Sequence, residues 1–411
     1  MKNSITSFTR IRQLIQWIIL LLVLSSIVGS ISALFLYCLA AVGNYRESHL
    51  WLLCFLPIAG VFIVWWYQTY GDRAQRGNNL LFDEYYHPTA ASIPWKMAPM
   101  VIISTLITHL FGGSAGREGT AVQYGGTVAA QLQHIIPLSK KQRRVLLLCG
   151  IAAGFASLFG TPWAGAVFAL EMVKLGKKRW LGALSVLSTA LLSNWVCGLY
   201  GDHLHTHYPA IGKLPELSFS TLLYLSLAGL AFGLTAVLFR LTTTVSSTGF
   251  AKIKQAWLRP VVGAILVLLA VYTLGTTKHI GLGIPTIIAA FTQPLASTDF
   301  LIKLVLTVIT LTSGFKGGEV TPLFFIGATL GNALAPVLPL PMTLLAATGF
   351  VAVFSGCTKT PFACTIMGME LFGWHYALFF LLTCFISYWV SGNKGIYSAQ
   401  KNRQRNFISR L

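Results

Sequence analysis

Acidic residues are scarce in this sequence. Its 411 residues hold 11 Asp and Glu against 30 Lys and Arg, and charged residues of both signs make up 10% of the chain. Soluble domains carry about 25% charged residues, so this composition argues against a soluble globular protein. Period-2 alternation is missing from the apolar runs, which argues against an outer-membrane barrel. The seven cysteines (38, 54, 149, 197, 357, 364 and 384) lie in or beside apolar runs and show no metal-ligand spacing. Their odd number argues against a disulfide framework, and they read as small packing residues. No Gly-x-x-x-x-Gly-Lys-Ser/Thr loop occurs, which argues against an ATP-driven pump. Ser114 lies far from any paired base, so a serine hydrolase is not indicated. No cofactor is expected.

What the sequence has in abundance is apolar helix-length sequence. Hydrophobic residues make up 55%, and the mean hydropathy is +0.69. Apolar runs lie near 14–42, 51–70, 95–111, 120–136, 145–173, 180–200, 217–244, 260–275, 284–292, 301–314, 320–338, 342–357 and 361–391. The first is too long for a signal-peptide core and reads as a retained span. Several others fall short of the ~20 residues that a full span requires, or are broken, as at Gly160-Thr161-Pro162 and Pro339-Leu340-Pro341. Short, broken hydrophobic segments predict half-helices that meet inside the membrane. The net charge is +19. Its basic residues sit in short clusters between apolar runs: Lys140, Lys141, Arg143 and Arg144; Lys174, Lys177, Lys178 and Arg179; Lys252, Lys254 and Arg259; Lys401, Arg403, Arg405 and Arg410. Such loops predict a cytoplasmic face and an anionic lipid leaflet as partner, not a nucleic acid. Short tails at 1–12 and 392–411 are expected on that face.

One polar stretch interrupts the apolar sequence: Gly112 to Gly126 places Arg117 and Glu118 between glycines. An ionisable residue at membrane depth marks an ion or proton path by default. The run Thr120 to Leu132 lacks Pro and predicts a helix. Its N-terminus would offer unpaired N–H groups and a positive dipole end, an anion site. A carboxylate just upstream competes for that site, and protonation releases it.

The motif Gly116-Arg117-Glu118-Gly119 resembles the gating-glutamate motif of the CLC family of anion channels and anion/proton antiporters. The resemblance runs from about Gly77 to Tyr397. Where the family usually has Pro, this chain has Thr120, which looks like the fluoride-selective branch. The chain also repeats itself: Glu118 matches Glu319 and Gly126 matches Gly327 at one offset, while Pro162 matches Pro361 and Glu171 matches Glu370 at another. The expected plan is an all-α integral membrane protein with a CLC-type fold: one membrane domain over 1–411, repeat one at about 14–200 and repeat two at about 217–391, inverted in the family. The resemblance also implies a homodimer.

Three helix N-termini are expected to converge: after Gly77-Asn78-Asn79, at Glu118, and at Gly317-Gly318-Glu319-Val320-Thr321-Pro322, where Pro322 suits a first helical position. Anion contacts are expected from Asn78 and Asn79, from the backbone of Gly119, Thr120 and Val320, and from Thr321. In the family the Asn78-Asn79 position usually offers a Ser hydroxyl; some fluoride-selective members have Asn or Met around it. Asn78 and Asn79 as plain helix caps is the alternative. Glu319 is expected as a second proton site, with pairing to Lys316 as the alternative. The resemblance puts the Tyr397 hydroxyl on the central anion, against a membrane-interface Tyr. Phe82 reads as core, with its ring edge a weaker anion contact. Glu171 stands near the family's inner proton-transfer Glu, but Met172 follows it, and a helix-end carboxylate is the favoured reading. Asp202-His203-x-His205-x-His207 looks like a metal site but reads as a solvated loop. The function implied is fluoride export driven by proton entry, with Glu118 as the gating, proton-carrying group. A chloride/proton antiporter or passive anion channel is the alternative within the family, and an intramembrane enzyme or scaffold a remote one.

Overall fold

The computed structural model describes residues 2–87, 93–173, 182–201, 204–212 and 215–400. Lys174 to Arg179, Asp202, His203 and the basic residues after 400 lie outside the described residues. Among those described, sixteen α-helices account for the fold: α1 (Lys2–Ser48), α2 (Leu56–Tyr70), α3 (Asn78–Tyr86), α4 (Met97–Leu110), α5 (Glu118–Leu132), α6 (Lys140–Phe159), α7 (Pro162–Glu171), α8 (Ala183–Gly198), α9 (Phe219–Ala251), α10 (Leu258–Leu274), α11 (Ile284–Thr292), α12 (Asp299–Thr312), α13 (Val320–Leu334), α14 (Met342–Thr358), α15 (Pro361–Phe372) and α16 (Ala377–Val390).

Among the described residues, four segments are long and apolar enough to cross a membrane: Ile11–Ser48, Leu50–Tyr70, Lys140–Phe159 and Phe219–Ala251. The rest are shorter, as the broken hydrophobic pattern predicts. Local chemistry sets the breaks. Ser139 and Gln142 form a reciprocal capping box at the start of α6, and Gly160 ends it in the left-handed conformation at φ +80°. That turn divides the apolar run at 145–173 into two helices, the second opened by Pro162 near its first position. Gly373, at φ +120°, divides the run at 361–391.

Glycines let central helices touch backbone to backbone. A Cβ on Gly125 would overlap the Gly150 carbonyl between α5 and α6, and one on Gly327 would overlap the Gly349 carbonyl between α13 and α14. A buried aromatic cluster fills the space between the two sets, with Phe324 stacked on Phe350 at 4.1 Å and Phe159 at 5.0 Å from Phe324.

The two halves meet at contacts that exchange like for like. Gly116 and Gly318 form an isolated antiparallel bridge, N–H to carbonyl at 2.6 and 2.7 Å. The offset is 318 − 116 = 202, and α5 and α13 begin at that same offset, at 118 and 320. Glu118 is therefore the first helical residue of α5, whereas Glu319 caps α13, the position held by Arg117 in α5. The match of Glu118 to Glu319 is one residue out of structural register. Likewise Gly125, packed on Gly150, and not Gly126, is the counterpart of Gly327, packed on Gly349. For Glu171 and Glu370 the offset of 370 − 171 = 199 holds in space. Glu171 accepts from the N–H of Phe362 (3.3 Å) and Ala363 (2.8 Å) opening α15, and Glu370 accepts from Trp163 (3.0 Å) and Ala164 (2.7 Å) opening α7.

Candidate functional site

The bridge at Gly116 and Gly318 brings two helix N-termini together at the centre of the molecule. Glycine is required here because the strands approach so closely: a Cβ on Gly318 would lie 2.6 Å from the Gly119 nitrogen, and one on Gly116 would lie 2.9 Å from the Gly318 oxygen.

Glu118 is fully buried. Its Oε2 accepts from the Thr321 hydroxyl at 2.6 Å and the Thr321 N–H at 3.0 Å, with the Arg117 N–H at 3.3 Å. The carboxylate thus occupies the dipole-positive end of α13. This corrects the expectation from sequence, which seated it on its own helix. Glu118 lies inside the first turn of α5, so its side chain reaches across to the facing helix. Oε1 is 3.6 Å from the Arg117 Nε and has no hydrogen-bond partner among the described residues. Arg117 in turn donates to the Thr206 hydroxyl at 3.3 Å.

Three further groups gather beside this pair. A Cβ on Gly119 would lie 3.5 Å from the Asn78 Nδ2 and 3.6 Å from the Glu319 Oε2. The Asn78 Oδ1 and Glu319 Oε2 are both buried and without a hydrogen-bond partner among the described residues. Buried polar atoms are almost always paired, so these mark a polar space that a small ion, a proton or water would complete. Lys316 does not pair with Glu319; its ammonium lies over the Tyr67 ring at 4.4 Å. Val320 is buried as the first residue of α13. Pro322 stands two residues further into that helix than its motif suggests.

The structure separates the two asparagines. Gly77, at φ +53°, caps α3, and no side chain does so. Asn78 faces the polar space. Asn79 instead accepts from the Ala399 N–H at 3.0 Å and the Ser398 hydroxyl at 3.2 Å, tying down the segment that carries Tyr397. Tyr397 is buried, its ring 5.6 Å from that of Phe82. Thr120 is not turned to the polar space: its hydroxyl pairs with Thr105 at 2.8 Å, and its N–H bonds the Arg117 carbonyl.

Other sequence candidates resolve differently. Both oxygens of Glu171 accept backbone N–H groups, the helix-end reading. His205 engages the Ser157 carbonyl at 2.9 Å and packs against Gly160. No group of three or more His, Cys, Asp or Glu placed to hold a metal occurs among the described residues. Sequence reasoning missed the buttress behind the Glu118 loop. Lys303, fully buried, donates to the carbonyls of His279 (3.0 Å) and Gly281 (2.8 Å); the Gly281 N–H donates to Gly113, and Ser114 donates to His279. A lone Lys in the apolar run 301–314 was the available signal.

A family model described as voltage gated chloride channel matches residues 59–392. The chloride/fluoride channel protein of Pseudomonas syringae pv. tomato is 45% identical, over 98% of this chain and 91% of its own. The crystal structure of a CLC-type fluoride/proton antiporter superposes with a TM-score of 0.90 at 39% identity, covering 94% of this chain and 98% of that one. More distant is an H(+)/Cl(-) exchange transporter of Yersinia pestis, 25% identical over 74% of this chain and 68% of its own. With a match over most of its length, a fold built of short facing helices and a carboxylate seated between them, this chain belongs to the voltage-gated chloride channel family, the CLC family.

Proposed function

We propose that the protein is a fluoride/proton antiporter that exports fluoride from the cytoplasm as protons enter. The observation that carries this reading is the Glu118 carboxylate on the Thr321 N–H and hydroxyl, the place an anion would take. Charge-assisted bonds of this kind hold the ionised form. Protonation removes that charge, weakens the hold and frees the donors. Fluoride, small and demanding of donors, then takes the N–H and hydroxyl of Thr321, with the Val320 and Gly119 backbone and the Asn78 amide beside it. A proton rides on Glu118 as the anion moves the other way. Glu319 is the second proton site: as a neutral acid it donates to fluoride, whereas as a carboxylate it repels it. Tyr397 lines the inner mouth, and Asn79 places it.

Glu118 is fully buried at this seat, which supports coupled exchange over a passive channel. The likeness to a fluoride/proton antiporter at 39% identity supports fluoride over chloride. The reading includes a homodimer in an anionic membrane, probed through oligomeric state in lipid, and a single membrane domain with repeats at about 14–200 and 217–391. Both tails are assigned to the cytoplasm, on the basic loops. The test is flux from liposomes under a proton gradient. Fluoride should move protons, and chloride should move far more slowly. Equal chloride flux, or fluoride flux without protons, would overturn the reading.

A further inference from the structure

Glu84 is a buried carboxylate that this exchange leaves without a role. It is 7% exposed and stands six residues beyond Asn78 on α3, about 9 Å along the helix axis. It lines a cavity of about 10 Å³ together with Gln133, Arg143, Arg144 and Leu147, enough for the centre of one water molecule. Gln133 is 5% exposed, and its Nε2 and the Arg143 Nε are buried with no hydrogen-bond partner among the described residues. Two buried donors without an acceptor, facing a carboxylate across a water-sized space, call for a molecule that accepts twice and donates once. Water does this.

Proton exchange needs a group on the cytoplasmic side. Glu171, near the family's position for it, has both oxygens engaged by backbone N–H groups. Asp83, the neighbour of Glu84, does not line this cavity and pairs with the exposed Arg76. Arg143 and Arg144 belong to the basic cluster that opens α6, so the cavity adjoins the face assigned to the cytoplasm.

We propose that Glu84, with a water held by Gln133 and Arg143, is the cytoplasmic proton-exchange group of this transporter, an assignment that rests on the antiport reading above. The neutral acid passes its proton to the water oxygen as one of the two donors releases that oxygen's lone pair: the carboxyl O–H bond breaks, an O–H bond forms on the water, and the hydronium leaves to bulk solvent. The carboxylate that remains is held by the adjacent guanidinium groups. Leu81, between Asn78 and Glu84 in the α3 sequence, and Leu147, in the cavity lining, both approach Gly126. On this assignment a proton crosses where these apolar side chains part to admit water.

The experiment reconstitutes the full chain in liposomes and follows fluoride and pH together in wild type, Glu84→Gln, Glu84→Asp and Gln133→Leu, with Glu118→Gln alongside. Glu84→Gln should slow fluoride-driven proton movement by about tenfold or more and leave the preference for fluoride over chloride unchanged; Glu84→Asp should regain part of the rate. Proton movement within about twofold of wild type in Glu84→Gln, set against that acid–base scale, would overturn the assignment. Should Glu84→Gln fail to fold, Gln133→Leu decides: an unchanged proton rate overturns the assignment, and a slowed one upholds it. Wild type that moves no protons sinks the antiport reading and this assignment together. Coupled wild type with an unaffected Glu84→Gln sinks this assignment alone.

Discussion

Glu118 and Thr321 stand 203 residues apart in sequence and 2.6 Å apart in space, the hydroxyl donating to the carboxylate. The contact joins the first turns of two facing helices and puts the gate of one half on the anion seat of the other. Thr321→Val keeps the shape and the N–H but removes the hydroxyl. A hydrogen bond to a charged group is worth about 1.5–3 kcal/mol. Fluoride in the same seat loses the same donor, so half-saturating fluoride should rise roughly tenfold or more. Fluoride binding titrated in the Glu118→Gln background, where no carboxylate competes for the seat, checks this; an unchanged half-saturation there would mean that the hydroxyl serves the gate alone.

Glu118→Gln keeps an acceptor oxygen but carries no titratable proton. It should abolish fluoride-driven proton movement, whether the anion then leaks or stalls. Simultaneous recording of fluoride and pH in liposomes reads this directly. Proton movement at the wild-type rate would remove the main reason for assigning antiport.

The two asparagines should behave differently. Asn78 faces the polar space beside Gly119 and Glu319, whereas Asn79 ties Ser398 and Ala399 to α3. Asn78→Ser should weaken discrimination against chloride. Asn79→Ser should instead loosen the Tyr397 segment, slowing turnover with smaller change in the fluoride-to-chloride ratio. Competition of the two anions in one flux assay separates these outcomes. A larger selectivity change from Asn79→Ser would reverse the assignment.

Much of this was legible in the sequence because the membrane makes polar residues conspicuous. Glu118, Glu319 and Thr321 stood out as polar groups in apolar surroundings, and glycines and prolines marked where helices break. Which partner each group takes was not legible. Helix boundaries shift by a residue or two with cap geometry, and one such shift put Glu118 inside α5 and Glu319 outside α13. That step turned the Glu118 carboxylate onto the opposite helix. Thr120 follows the same rule: the motif put it at the site, but its place in the first turn directs its hydroxyl to Thr105. Contacts between distant loops, such as Arg117 with Thr206 or Lys303 with His279, leave no periodic trace in sequence.

Glu171 and Glu370 give the last test, because their reciprocal geometry makes the two equivalent, and a proton-relay role for Glu171 would make them differ. Each ends a short helix, and each accepts two backbone N–H groups from the start of the other's helix. A carboxylate there satisfies orphan donors and opposes the positive dipole end. Replacing either with Ala should lower stability by a similar amount, about 1–2 kcal/mol. Replacing both should cost no more than the sum, since neither carboxylate touches the other's donors. A proton relay through Glu171 would break this symmetry. Glu171→Gln would then lower fluoride-driven proton movement, and Glu370→Gln would not. The expectation is that both Gln variants keep wild-type coupling while unfolding at a lower temperature in detergent. Loss of coupling confined to Glu171→Gln would return that residue to the proton path and leave Glu370 as the cap alone.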